Sequence, residues 1–248
     1  MKKMSDDLRY MTDAQAQAAD MDVGLRQYML RVYNYMASGL VLTGIVAYGS
    51  TKVPAIMNAL YTQVPGGFVQ PTGLAYLVMF SPLAFVLVLS FGINRMKSST
   101  AQALFWAFSV IMGLSLTNIF LIYTGTSIAR VFFIAAATFG AMSLYGYTTQ
   151  RDLSKFGSFL FMGLIGIIIA SLVNFFMQSE AMQFVISVIG VLVFVGLTAH
   201  DTQAIKHSYY EGDNAETASK KAIMGALNLY LDFLNLFLML LHLFGNRE

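Results

Sequence analysis

Asp232 stands where a carboxylate is expensive to keep. It lies in NLYLDFLNLFLML, about halfway along an apolar run from Ala222 to Phe244. A charge at the centre of a membrane span costs ~2.5–3.5 kcal/mol on insertion scales. The aspartate side chain is too short to reach either interface, so it must be neutral, paired or facing water. Gly225, Asn228, Asp232 and Asn235 recur at spacings of three and four, which puts them on one helical face. Leu229, Leu231, Leu234, Leu238 and Leu241 cover most of the rest. Hydrogen bonds between helices account for the asparagines. An aspartate midway asks for more than glue.

Asp201 lies in FVGLTAHDTQAIK, near the end of the preceding apolar run. Two carboxylates in one poorly solvated place do not both ionise easily, and such a pair can share a proton. Deprotonated, Asp201 and Asp232 would offer hard oxygens suited to Ca²⁺. Protonated, they would be neutral and could lock helices together. That combination is a pH-sensitive cation gate with calcium at the two aspartates. By helical rise, Asp232 lies ~15 Å and Asp201 ~5 Å from their cytoplasmic helix ends. Tilt, or an earlier start to the last helix, is needed to bring them together. Arg95, in SFGINRMK, is expected at the same membrane face as Asp201 and is the candidate counter-ion. His200 and His207 flank Asp201. Glu211, Asp213, Asn214 and Glu216 lack the EF-hand order and read as a solvated loop.

Some chemistry is excluded. With no cysteine there is no disulfide, thiolate zinc site or cysteine nucleophile. There is no nucleotide loop, HExxH or Ser/His/Asp order, and an intramembrane aspartyl enzyme lacks its expected motifs. The chain is therefore expected not to be an enzyme and to need no cofactor. The net charge of +2, with no basic stripe, gives no reason to expect a nucleic-acid partner.

The elements that must position the aspartates follow from composition. Hydrophobic residues make up 57% of the chain and charged residues 11%, against about 25% charged in soluble domains. The apolar runs are ~20 residues long and do not alternate, so they read as membrane helices rather than barrel strands. The expectation is an all-α polytopic bundle over 28–248, with spans at about 28–50, 74–94, 101–123, 127–147, 156–177, 181–204 and 222–244. A loop rich in proline and glycine separates the first two spans, and Pro82 falls inside the second. Thr124–Thr126 and Gln178–Glu180 should make tight hairpins. Residues 1–27 lack a signal-peptide core and read as a polar, disordered cytoplasmic tail before an uncleaved anchor. With seven spans, twelve lysines and arginines fall on the tail's side and three (Lys52, Arg130, Arg247) on the other. That bias puts the N-terminus in the cytoplasm. Six spans with a re-entrant last segment would return the C-terminus to the same side.

HDTQAIK, followed by LNLYLDFLNLFLMLLHLFGNR, resembles the closing signature of the transmembrane Bax inhibitor motif family. FGAMSLYGYTTQRDLSKFG, residues 139–157, is similar to the stretch joining spans four and five in its bacterial members. The resemblance covers roughly residues 28–247. It implies a seven-helix bundle with the last helix central, in a bacterial inner membrane. It implies a pH-sensitive calcium leak gated by Asp201 and Asp232, with Arg95 as the arginine that pairs with the gate. Some bacterial members carry a glutamate within span two, where this sequence has Ser81 and Pro82. Other members modulate a membrane protease, so the alternative is a non-conducting regulator that binds such a partner.

Overall fold

Backbone polar groups in hydrocarbon must bond within their own segment, which makes each long apolar run a helix. A computed structural model describes residues 2–63 and 69–247, with side chains for 23–63 and 70–247. The described elements are α1 (Lys2–Ser50), α2 (Pro54–Leu60), a hairpin of β1 (Tyr61–Gln63) and β2 (Val69–Pro71), α3 (Gly73–Gly92), α4 (Ser98–Ser115), α5 (Ile119–Ile122), α6 (Gly125–Thr148), α7 (Ser154–Met177), α8 (Glu180–His207) and α9 (Ala215–Phe244). A 3-10 turn, Leu116–Asn118, joins α4 to α5. Six of these units are long and apolar enough to cross a bilayer. The first span, from Val23, with α2 makes a seventh, the chain bending by 90° between them. The protein is thus a polytopic helical membrane protein.

Three differences from the sequence reading have local causes. The backbone of residues 2–27, expected as a disordered tail, continues α1; the side chains of 1–22 lie outside the described residues. The loop after the first span is more regular than its prolines suggest. Pro54 opens α2 at a position where its missing N–H costs nothing. α9 begins at Ala215, not Ala222, because Asn214 caps it by accepting the Thr217 N–H at 2.8 Å. Pro82 leaves α3 unbroken. It deprives the Val78 carbonyl of its usual donor, and the Ser81 hydroxyl supplies one at 2.8 Å.

The layers are ordered by how much of each helix lipid can touch. Of the most apolar stretch of each helix, 67% is buried in α9 but only 11% in α3 and 17% in α7. α9 is central and packs against α1, α4, α6 and α8. Large apolar side chains such as Phe91, Phe133 and Phe176 face outward, as a lipid-facing surface requires. Tyr230 of α9 is fully buried, edge-on to Phe105 and Phe108. The Thr43 hydroxyl donates its one proton to the Ser109 carbonyl at 2.8 Å, so Tyr230 must donate to Thr43, at 2.7 Å. This relay ties α1, α4 and α9 together. α6 meets α8 at Gly146, where any Cβ would run into the backbone of Ala199.

Candidate functional site

The seam between α8 and α9 holds both aspartates. Two close contacts fix its antiparallel register: Gly225 lies against Ile205, and Gly190 against Met239. In that register Asp201 stands level with Asn228 and Leu229, and Asp232 lies one turn, ~5 Å, deeper. The earlier start of α9 helps: its first turns run beside the end of α8, where Lys221 donates to the Ser208 carbonyl at 3.0 Å. The separation expected from sequence thus shrinks to about one helical turn.

Asp232 is buried, and its Oδ2 has no hydrogen-bonding partner among the described residues. A buried acceptor without a donor costs ~1–3 kcal/mol. Asp201 is half-buried, and its Oδ1 lies 2.7 Å from His200 Nδ1. The His200 ring in turn rests against Gly157 of α7, where a Cβ would strike its Nε2.

Several expected members of the site are elsewhere. Arg95 is exposed at the end of α3 and forms no ion pair with Asp201 among the described residues. Its span packs mainly against α4, and the side chain that Asp201 meets is His200. Asn228 is exposed and Asn235 half-buried. Asn235 donates to its own helix, at the Leu231 carbonyl, 2.8 Å, so it does not bridge helices. His207 is exposed. The described residues hold no group of three or more metal-ligating side chains. Two carboxylates fall well short of the ~6–8 oxygens that a resident Ca²⁺ takes.

Cavities flank the seam at both ends. One, of about 250 Å³, is lined by Asp201, Lys221, Gly225 and Asn228, and stops a turn short of Asp232. The other, of about 530 Å³, is lined by Glu180, Gln183, Ser187, His242 and Arg247. Between them Met239 sits on Gly190. The polar stripe of α9 therefore continues beyond Asn235, through Met239 to His242, at the same spacing of three and four.

Some anchoring residues escape sequence reading. Gln203 donates to the Arg151 carbonyl and accepts the buried Leu153 N–H, both at 2.8 Å, so α8 holds the α6–α7 loop. Glu216 of α9 caps α4, taking the Ser98 N–H at 2.6 Å and its hydroxyl at 2.7 Å. All are contacts across fifty residues or more. The α7–α8 hairpin was legible: Gln178 adopts φ 50°, and Ser179 caps α8.

A helical polytopic protein with its last helix at the centre, and an acid buried in that helix's seam, defines a narrow class of membrane protein. Residues 25–248 match the family described as "Inhibitor of apoptosis-promoting Bax1", and the chain belongs to this Bax inhibitor family. It is 50% identical over 227 residues to the inner membrane protein YbhL of Escherichia coli, covering 91% of this chain and 94% of that one. It is 52% identical to the uncharacterized protein RP147 of Rickettsia prowazekii, over 92% of each chain. An uncharacterized protein of Caulobacter vibrioides is 47% identical, over 96% of this chain and 97% of its own.

Proposed function

We propose that the protein is a calcium-permeable leak channel of the bacterial inner membrane, gated by protonation of Asp201 and Asp232, which stand about one helical turn apart along the seam. The observation that carries this reading is the buried, unpartnered Asp232 Oδ2. Such an oxygen is a poor structural element and a good acceptor for a proton or a passing cation. The cavities at the two ends of the seam give ions an approach from each side, with Met239 on Gly190 as the closure. Calcium is the permeant ion, not a resident one, because the seam offers two carboxylates and water must complete the shell. Protonated, the pair is neutral and the helices stay locked; deprotonated, it draws cations into the seam.

Tyr28, Arg95, Arg151, Lys206 and Lys221 belong to the end that carries most of the cations, opposite Lys52, Arg130 and Arg247. The positive-inside rule assigns that end to the cytoplasm, with the N-terminus. The printed name of the Escherichia coli relative supports the inner membrane. The test is calcium entry into liposomes holding only the purified protein. Entry above that of protein-free vesicles is expected. Entry equal to theirs overturns the channel reading and leaves the non-conducting regulator.

A further inference from the structure

A lateral groove of about 610 Å³ opens between α1 and α6, away from the aspartate seam. Its walls include Leu30 and Tyr33 of α1 and Gly140 and Leu144 of α6, with Arg26 and Tyr147 toward one end. Leu30 and Leu144 are exposed, so the groove faces the bilayer. Gly140 keeps it open: a Cβ there would meet nothing within 4 Å. The two helices are pinned across it by Tyr33 and Ser143, whose hydroxyls lie 2.6 Å apart.

Charge is confined to one end of this apolar slot. Arg26 lies there, one turn outside the apolar lining. Lys206 engages Tyr147 of that end, its ammonium 2.8 Å from the Tyr147 carbonyl and 5.1 Å above the ring. Three described acids of this end are engaged elsewhere. Asp152 accepts the Ser154 N–H, Asp213 pairs with Lys221, and Glu216 caps α4. An apolar slot open to lipid, with cations at its headgroup end, is complementary to an amphiphile with a negative head.

We propose that the groove between α1 and α6 binds an anionic phospholipid of the surrounding bilayer, one acyl chain over Gly140 and the phosphate at Arg26. The site does not depend on the gate, but it touches the same helix. The Ser143 hydroxyl that lines the groove lies 3.0 Å from Thr202 Oγ1, and Thr202 follows Asp201 on α8. A lipid in the groove therefore bears on a hydroxyl relay that ends beside the seam.

Native mass spectrometry of the full chain, exchanged into phosphatidylglycerol or phosphatidylethanolamine with matched acyl chains, tests this. Phosphatidylglycerol should be retained about fivefold better, the factor that one cation supplies near an anionic headgroup. Arg26→Gln should remove that preference. Gly140→Leu should weaken retention of both lipids by filling the slot. Gly140→Ala, whose methyl enters open space, controls for folding. Soluble glycerol phosphate should not compete, because the acyl chain supplies the hold. Equal retention of the two lipids by the wild-type chain would overturn the proposal. So would a preference unchanged in Arg26→Gln, or displacement by glycerol phosphate.

Discussion

Replacing Asp232 by leucine should stabilise the protein while abolishing its transport. The carboxylate is buried and its Oδ2 has no described donor, so the folded state carries ~1–3 kcal/mol of unmet desolvation. Leucine removes that cost. Its two methyl groups replace the carboxylate oxygens but are bulkier, in a crowded neighbourhood flanked along the helix by the buried Leu229, Phe233 and Leu236. Overpacking of a closed core costs ~1–3 kcal/mol, though the cavity one turn away gives room to relax. The net expectation is a gain of up to ~2 kcal/mol. Reversible unfolding in mixed micelles, read by tryptophan fluorescence from Trp106, measures it. The reasoning depends on Asp232 being kept for function against stability. If Asp232→Leu instead destabilises by more than ~1 kcal/mol, the carboxylate makes bonds that hold the bundle, and the argument from its orphan oxygen fails.

Other perturbations read the positioning elements. Gly146→Ala should cost ~1–3 kcal/mol, because its Cβ meets the backbone of Ala199 and not a side chain that can turn away; a melting temperature equal to wild type would refute the close α6–α8 approach. Gln203→Leu leaves the buried Leu153 N–H unpaired, worth ~1–3 kcal/mol, and trypsin should then cut faster at Arg151 or Lys155. In the same loop, the backbone N–H of Ser154, then its hydroxyl, hold the Asp152 carboxyl below its ordinary value of 3.8. That cap therefore contributes above the unfolded carboxyl range and is lost as pH falls through the lowered folded value. Hydrogen exchange at the Ser154 amide should be faster in Asp152→Ala than in wild type at neutral pH, with the difference vanishing in strong acid.

Much of this was legible because lipid enforces simple rules. Continuous apolar runs located the helices to within a few residues, except that α1 starts far earlier, at Lys2, and that the start was also missed at α9. There AETASKK looked like loop, yet it is two capped turns standing beyond the apolar run. Asp232 stood out from its depth alone, and it is buried. Asp201 did come within a turn of it, but the register that does this rests on Gly225 against Ile205 and Gly190 against Met239. Contacts between helices leave no mark at fixed spacing. Among the described residues the partner of Asp201 is not Arg95 but its own chain neighbour His200. Gln203 and Glu216 were invisible, since each looks like an ordinary polar residue until the fold brings a distant backbone to it.

The central claim is that Asp232 in the α8–α9 seam controls ion passage. Calcium influx into proteoliposomes, compared between wild type and Asp232→Asn on both sides of neutral pH, tests it most directly. The account predicts a wild-type flux that falls on acidification and an Asp232→Asn flux that no longer responds to pH. An Asp232→Asn protein with the wild-type flux and the wild-type pH dependence would contradict it.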